Sequence, residues 1–457
     1  MDMALTVLER TRPGVSACSL LEVQGKKVLL DCGYDDSQPL TAENTSLPVP
    51  AKDIHAVILS HGHLGHCGLL PVLVRGGFTG KVSGTHEALK VAMLNMLETA
   101  LVQKEEQEYW QAKDSRQAAQ PLYTEAEVEA CRSRLSPCGF DSPVQVDQDL
   151  SIRFFRAGHG PGAALVALEA RHGGDSRRLL YVGDVAAGEH DLYAEGVLAG
   201  SYDTVLVPAS GVGRGGVEDP SAALAEVIRQ AQEAVGNVLV LSSSIDRRDT
   251  ILQVIRRLRA DKQIPAVFVF LDTPMASRQR AEFPLCSKDT DTYGCIQAID
   301  TVVDSKRLNQ VTGTAIIMAG AGKGGHGRVG FHLRKNLPRP GCSIVLFGPQ
   351  PEGSIGQRLA AGQKTISILG HKTPIKAKVH SLGDPAIHLD ALTMAEWLGR
   401  MKPAPNRVCV VHGRPGSKTE FQQTLGRRHM SGVCVPPAGD RIRLDSGDQP
   451  APRKTSK

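Results

Sequence analysis

The chain has 457 residues, 41% of them apolar, 22% charged and 4% aromatic, with a formal net charge of +5. Such a length exceeds what one hydrophobic core usually supports, so two domains, or one domain interrupted by another, are predicted. The apolar content is ordinary for a soluble globular protein; no run of about 18 apolar residues suggests a membrane span, and so mild a positive charge suits an anionic substrate without arguing nucleic-acid binding by itself.

The N-terminus shows neither a basic n-region nor an apolar h-region with a cleavage site. The ten cysteines (18, 32, 67, 131, 138, 286, 295, 342, 409 and 434) form no C-x-x-C pair, and several lie inside apolar runs such as Val408-Cys409-Val410-Val411. Reduced, buried thiols are used in this way. The expectation is a soluble, cytoplasmic protein with no membrane partner.

Up to residue 205, short β-branched runs at 27–31, 56–60, 150–155, 179–183 and 204–207 each end at or just before a Gly, Asp, His or Pro, which predicts strands. Residues 85–107 have helical periodicity, and 124–134 reads as a shorter charged helix. From 206 to 375 the pattern becomes helix 220–235, strand 238–243, helix 249–261, strand 266–271, a loop region, strand 313–319, helix 326–336 and strand 343–348, the spacing of a parallel sheet with crossover helices. Residues 376–445 return to the earlier style, so the middle segment is predicted to be inserted into a first domain made of 1–205 and 376–445. The polar, basic tail 446–457 is predicted to be disordered. No internal repeat is present.

Chemistry concentrates at Ser60-His61-Gly62-His63-Leu64-Gly65-His66, directly after an apolar run. Three imidazoles within six residues at a strand end can converge on one point, and neutral imidazole suits zinc, whose catalytic sites have three protein ligands and an open position. A solvated histidine-rich turn is the competing reading, and the flanking strand argues against it. Further candidates end other strands: His159 in Arg156-Ala-Gly-His-Gly160, Asp184 after Leu180-Tyr-Val-Gly183, and His412 in Val410-Val-His-Gly413.

Together with Leu30-Asp31-Cys-Gly33, these motifs resemble those of the metallo-β-lactamase family, in family order. The inserted segment resembles the β-CASP branch, RNA-processing nucleases related to the cleavage and polyadenylation endonuclease, through Leu271-Asp272-Thr-Pro-Met-Ala276, Gly327-Arg328-Val, Gly356-Gln-Arg-Leu359 and Ala386-Ile-His388-Leu-Asp390. The resemblance implies an α/β fold, a metallo-β-lactamase αββα sandwich with an inserted β-CASP α/β domain. It also implies that His61, His63 and His159 hold one zinc, that His66 and His412 hold a second, and that Asp184 bridges the two. Asp31 would orient a ligating histidine by accepting its free N–H, and His388 resembles the general acid. The implied activity is cleavage of an RNA phosphodiester, with single-stranded RNA as partner. The oligomeric alternatives, a homodimer or a subunit of a complex, stay open.

The chain departs from the family at two points. The family pattern H-x-H-x-D-H has Gly65 in place of its aspartate, which predicts one tight and one weakened metal site. Near Pro208, in Asp203-Thr-Val-Leu-Val-Pro-Ala-Ser210, the branch carries an acidic residue. These losses motivate an alternative function, a weakened or inactive relative that binds RNA or scaffolds a complex.

Gly320-Ala-Gly322-Lys-Gly-Gly325 satisfies G-x-G-x-x-G, but the next strand ends without the acidic residue that a dinucleotide site needs. A turn that holds a substrate phosphate is the better reading. Lys323, Arg328, Arg334 and Arg358, near such glycine turns, are candidate phosphate contacts. Arg247, Arg248, Arg256, Arg257 and Arg259 read mainly as a solvated helix face.

Overall fold

Three five-residue segments near the N-terminus, each with at least three apolar residues, become strands: β1 (Met3–Val7), β2 (Ser19–Val23) and β3 (Lys26–Leu30). Gln24 and Gly25, both at positive φ, turn β2 back onto β3, as a two-residue hairpin requires. The computed structural model describes residues 2–8, 16–34, 45–113, 120–185, 195–198, 200–211, 220–242, 244–282, 296–311, 313–320, 327–348, 350, 353–383 and 389–444.

Strands β4 (Ile54–Ile58), β5 (Lys81–Thr85) and β6 (Leu135–Cys138) extend β3 in parallel, and β22 (Arg441–Arg443) closes the other edge, giving a seven-stranded sheet. A second seven-stranded sheet begins as an antiparallel meander, β7 (Pro143–Gln145), β8 (Leu150–Arg156), β9 (Ala164–His172) and β10 (Asp175–Val182). It continues in parallel through β11 (Thr204–Val207), β20 (Arg407–Val410) and β21 (Val433–Cys434). Leu5, Leu21, Leu30 and Ile58 from one sheet pack with Phe154, Val166, Leu206 and Cys409 from the other. Helices cover both outer faces, His86–Gln111 on the first sheet and Ala391–Gly399 and Pro415–Arg427 on the second. The result is the expected αββα sandwich.

The chain leaves this sandwich after β11 and returns to pair with it at β20. Between them lies a six-stranded, all-parallel sheet of β12 (Val238–Leu241), β13 (Phe268–Asp272), β14 (Ile296–Ile299), β15 (Ala315–Ala319), β16 (Ser343–Phe347) and β19 (Lys378–Leu382). A small hairpin of β17 (Thr365–Ile368) and β18 (His371–Pro374) precedes β19. Because β19 pairs with β16, the inserted sheet runs past the expected boundary at 375. Short strands that lack alternation, β14 and β19 among them, are the elements that periodicity misses.

Two helix expectations change. Residues 124–134 form a helix only over Glu125–Ala130, where Thr124 and Glu127 make a reciprocal capping box, and then tighten into a 3-10 turn at Cys131–Arg134. The helix expected from 249 starts at Ile245, because the Ile245 amide is bonded by the Asn95 side chain of the long helix, 3.1 Å away. Among the described residues no helix is long and apolar enough to cross a membrane.

The long helix His86–Gln111, about 39 Å at 1.5 Å per residue, carries the inserted domain. Val91 and Leu94 pack on Ile245 and Met275. One turn further, the Glu98 carboxylate takes two hydrogen bonds from Nη2 of Arg248, at 2.7 and 2.5 Å, and a third from the Thr273 hydroxyl. Arg248 is completely buried, so it is not part of a solvated helix face. Arg328 is likewise not available to phosphate. Its guanidinium donates to both Glu105 oxygens, to Asp272 and to the carbonyls of Ile299 and Asp300, which occupies Nε, Nη1 and Nη2 alike.

Removing one partner of a sealed ion pair strands the other in a low-dielectric interior. Arg248→Ala is therefore expected to destabilise the protein by about 3–5 kcal/mol in denaturant titration. The double variant with Glu98→Ala should lose clearly less than the sum of the two single losses.

Candidate metal centre

The site forms where parallel strands of the two sheets end together. β4 ends at Ile58, and the chain then delivers Ser60, His61, His63 and His66 within one loop and the short helix Leu64–Cys67. His159 follows β8, Asp184 follows β10 and His412 follows β20. Two glycines permit the approach. A Cβ on Gly62 would stand 2.6 Å from the Ala92 nitrogen of the long helix, and one on Gly33 would stand 1.8 Å from the Gly65 carbonyl oxygen.

The first group of donors is His61, His63, His159 and Asp184; the second is His66, Asp184 and His412, and within each group the ligand atoms all lie within 4.8 Å of one another. His63 Nδ1 is 3.0 Å from His61 Nε2 and 3.4 Å from His159 Nε2. Asp184 Oδ2 sits between the groups, 4.0 Å from His61 Nε2, 3.9 Å from His159 Nε2 and 3.7 Å from His66 Nε2. All but His63 are buried.

Donor chemistry fits a metal ion of the zinc class. Burial, then the neighbouring imidazoles of His66 and His63, holds the His61 pKa well below the ordinary histidine value, in the neutral form that coordinates. Burial also pulls His66 down, but the carboxylates of Asp31 and Asp184 outweigh it and raise the group to about 10. With Nδ1 of His66 donating to Asp31 Oδ2 at 2.7 Å, its Nε2 is turned toward Asp184.

Asp31 stands directly behind the histidines. Fully buried and held at φ +60°, it accepts from the Ser60 amide at 2.7 Å, the Ser60 hydroxyl at 2.7 Å, the Tyr181 hydroxyl at 2.6 Å and His66. Sequence reading gave no role to Ser60, Tyr181 or Ser210. Ser210 donates from Oγ to Asp184 Oδ1 at 2.6 Å, leaving Oδ2 toward the histidines. Its only sequence signal was its place two residues after Pro208 at the end of a strand.

Gly65 contributes its main chain instead of a carboxylate: its carbonyl accepts the Ala17 amide at 2.7 Å. Of the phosphate candidates, Arg358 is half-buried on the helix Ile355–Ala360 and Arg334 is exposed on Gly327–Asn336. Lys323 and His388 lie outside the described residues. The next residue after His388, Leu389, bonds through its amide to the carbonyl of Val185, beside Asp184, at 3.0 Å.

Known proteins bear on this geometry. Residues 11–207 match the metallo-beta-lactamase superfamily and residues 249–359 match the Beta-Casp domain. Ribonuclease TTHA0252 of Thermus thermophilus is 28% identical, the match covering 90% of this chain and 93% of that protein. An RNase J-like protein of Methanocaldococcus jannaschii is 24% identical over 93% of this chain and 95% of its own length. Cleavage and polyadenylation specificity factor 73 of Drosophila melanogaster is 24% identical over 90% of this chain and 60% of its own. A crystal structure of a protein of unknown function from Enterococcus faecalis V583 shares the fold, with a TM-score of 0.53 and 10% identity over 97% of this chain and 100% of that one.

If Asp31 orients His66, Asp31→Ala should lower metal affinity by about 10–100-fold, read by competition with a chromogenic chelator. Tyr181→Phe, which removes one of four donors to Asp31, should have a smaller effect in the same direction.

Proposed function

The chain belongs to the metallo-β-lactamase superfamily and carries the β-CASP insertion of its RNA-processing branch, and from that premise we propose that it is a zinc-dependent ribonuclease. The observation that carries the reading is one pair of donor groups sharing Asp184 at a common strand edge. In this reading His61, His63, His159 and Asp184 hold the first metal and His66, Asp184 and His412 the second. Zinc held there supplies Lewis acidity, lowering the pKa of water and drawing charge from a phosphoryl group.

The protein's own groups do the rest. Asp31 keeps the His66 lone pair aimed inward, and Ser210 orients Asp184 through its other oxygen. His388 protonates the leaving oxygen, as an imidazole with an unperturbed pKa near ~6.5 can at neutral pH; the Leu389–Val185 bond ties the adjoining main chain to the residue after Asp184. Single-stranded RNA is the proposed substrate, with the cytoplasm as location; among the described residues all eight cysteines are thiols.

A second reading is favoured by one specific feature. The second donor group has three members where the first has four, since Gly65 offers no carboxylate. A protein with a weak second site could serve as an RNA-binding or scaffold subunit.

Metal analysis of the purified protein, with cleavage of a labelled single-stranded RNA with and without chelator, separates the readings. The ribonuclease proposal expects chelator-sensitive cleavage that His61→Ala abolishes while RNA binding persists. His388→Ala should cut kcat by about 10²–10⁴-fold. Gly65→Asp should raise second-site occupancy and rate. No cleavage in a preparation with one metal or none makes the scaffold reading the better one.

A further inference from the structure

The long helix His86–Gln111 packs Leu89 and Met93 into the core of the first sheet and leaves His86 and Lys90 exposed beside them. Beside it opens a cleft of about 330 Å³, within the ~300–1,000 Å³ of small-ligand sites. Its lining is apolar, with Leu89, Met93 and Leu94 buried, Leu135 half-buried and Pro137 exposed. Its rim carries three cations: Lys90 stands on the helix beside His86, Arg132 faces them from the 3-10 turn Cys131–Arg134, and Arg278 comes from the inserted domain. Glu129 holds Arg132 in place and also feels the charge of Arg278, and among the described residues no acidic side chain lines the cleft itself.

The position of the cleft relates it to the metal centre. His86 follows Thr85, whose hydroxyl donates to the Gly162 carbonyl at 2.6 Å, in the loop that carries His159. The opposite flank of the same helix receives Gly62 between Ala88 and Ala92, and Asn95 Nδ2 donates to the Gly62 carbonyl at 2.9 Å. The helix therefore touches the loops of three ligands with its first turns and forms the cleft with those same turns.

An apolar floor with a cationic rim matches one ligand chemistry: a flat base that stacks and loses water, attached to phosphates that remain charged. We propose that this cleft is a nucleotide subsite, which seats a base and its adjoining phosphates on single-stranded RNA, away from the bond that is cut. The proposal rests on the ribonuclease reading above. It explains how a chain with few aromatic residues holds a strand, using the half-buried Leu135 and the exposed Pro137 over a buried leucine and methionine base in place of aromatic platforms.

The test uses the full, metal-loaded chain and a labelled ten-nucleotide single-stranded RNA. Lys90→Glu combined with Arg278→Glu changes two exposed rim residues and leaves the metal ligands alone. Affinity should fall at least tenfold, and the slope of log K against log salt should shrink by about 1.4, roughly 0.7 for each phosphate that is no longer neutralised. The same reversals at Arg171 and Lys372, both exposed elsewhere, should change neither quantity by a comparable amount. Photo-cross-linking of a 4-thiouridine RNA should label the peptide containing His86 to Met93. Wild-type protein that cleaves RNA, with rim variants that bind as wild type or no better distinguished than the control reversals, overturns the subsite alone. Wild-type protein that neither binds nor cleaves RNA overturns both readings.

Discussion

Glu98 and Arg248, 150 residues apart in the chain, are sealed against each other where the inserted domain rests on the long helix. A buried guanidinium tolerates only positions that satisfy its donors, so this pair admits one docking geometry where an apolar interface would admit several. The same helix repeats the device along its length. Asn95 reaches both the Gly62 carbonyl and the Ile245 amide, and Glu105 takes the guanidinium of Arg328. Polar ties from this face of the helix thus fix the inserted domain at three levels, and Asn95 extends the network to the loop between His61 and His63.

The candidate metal centre depends on a comparable arrangement of buried polar groups. Its donors come from four separate strand ends in two sheets. What orders them is a layer behind the candidate ligands: Asp31 collects four donors, and Ser210 engages the oxygen of Asp184 that faces away from the histidines. Charge follows from this arrangement. Burial keeps His61 neutral, whereas two carboxylates draw a proton onto His66.

Gly65 has a consequence for asymmetry between the two donor groups. The position sits in the short helix Leu64–Cys67, and its carbonyl is bonded to Ala17. Gly33, across from it, leaves room for this close approach and for no side chain of its own. The backbone of this region is thus packed too closely at Gly33 for a side chain there, and the two donor groups have four and three members.

Much of this was legible in the chain before folding. The histidine cluster after an apolar run, the strand-end His159, Asp184 and His412, and the change from short strands to α/β alternation all reflect local rules, because periodicity and turn chemistry are properties of neighbouring residues. Arg248 and Arg328 defeat those rules for the same reason: a charged residue on a helix looks solvated, as Arg248 does, or free for a phosphate, as Arg328 does, until the partner that buries it, Glu98 or Glu105, arrives from more than a hundred residues away. Ser60, Tyr181 and Ser210 carry no local mark of their roles, and β19 joins its sheet only through a pairing with β16. The sequence by itself determined the donor types, their order and the interrupted sandwich; only the tertiary structure decided which carboxylates and hydroxyls stand behind the ligands and which cations are spent on docking, since both depend on distances across the fold that no spacing along the chain encodes.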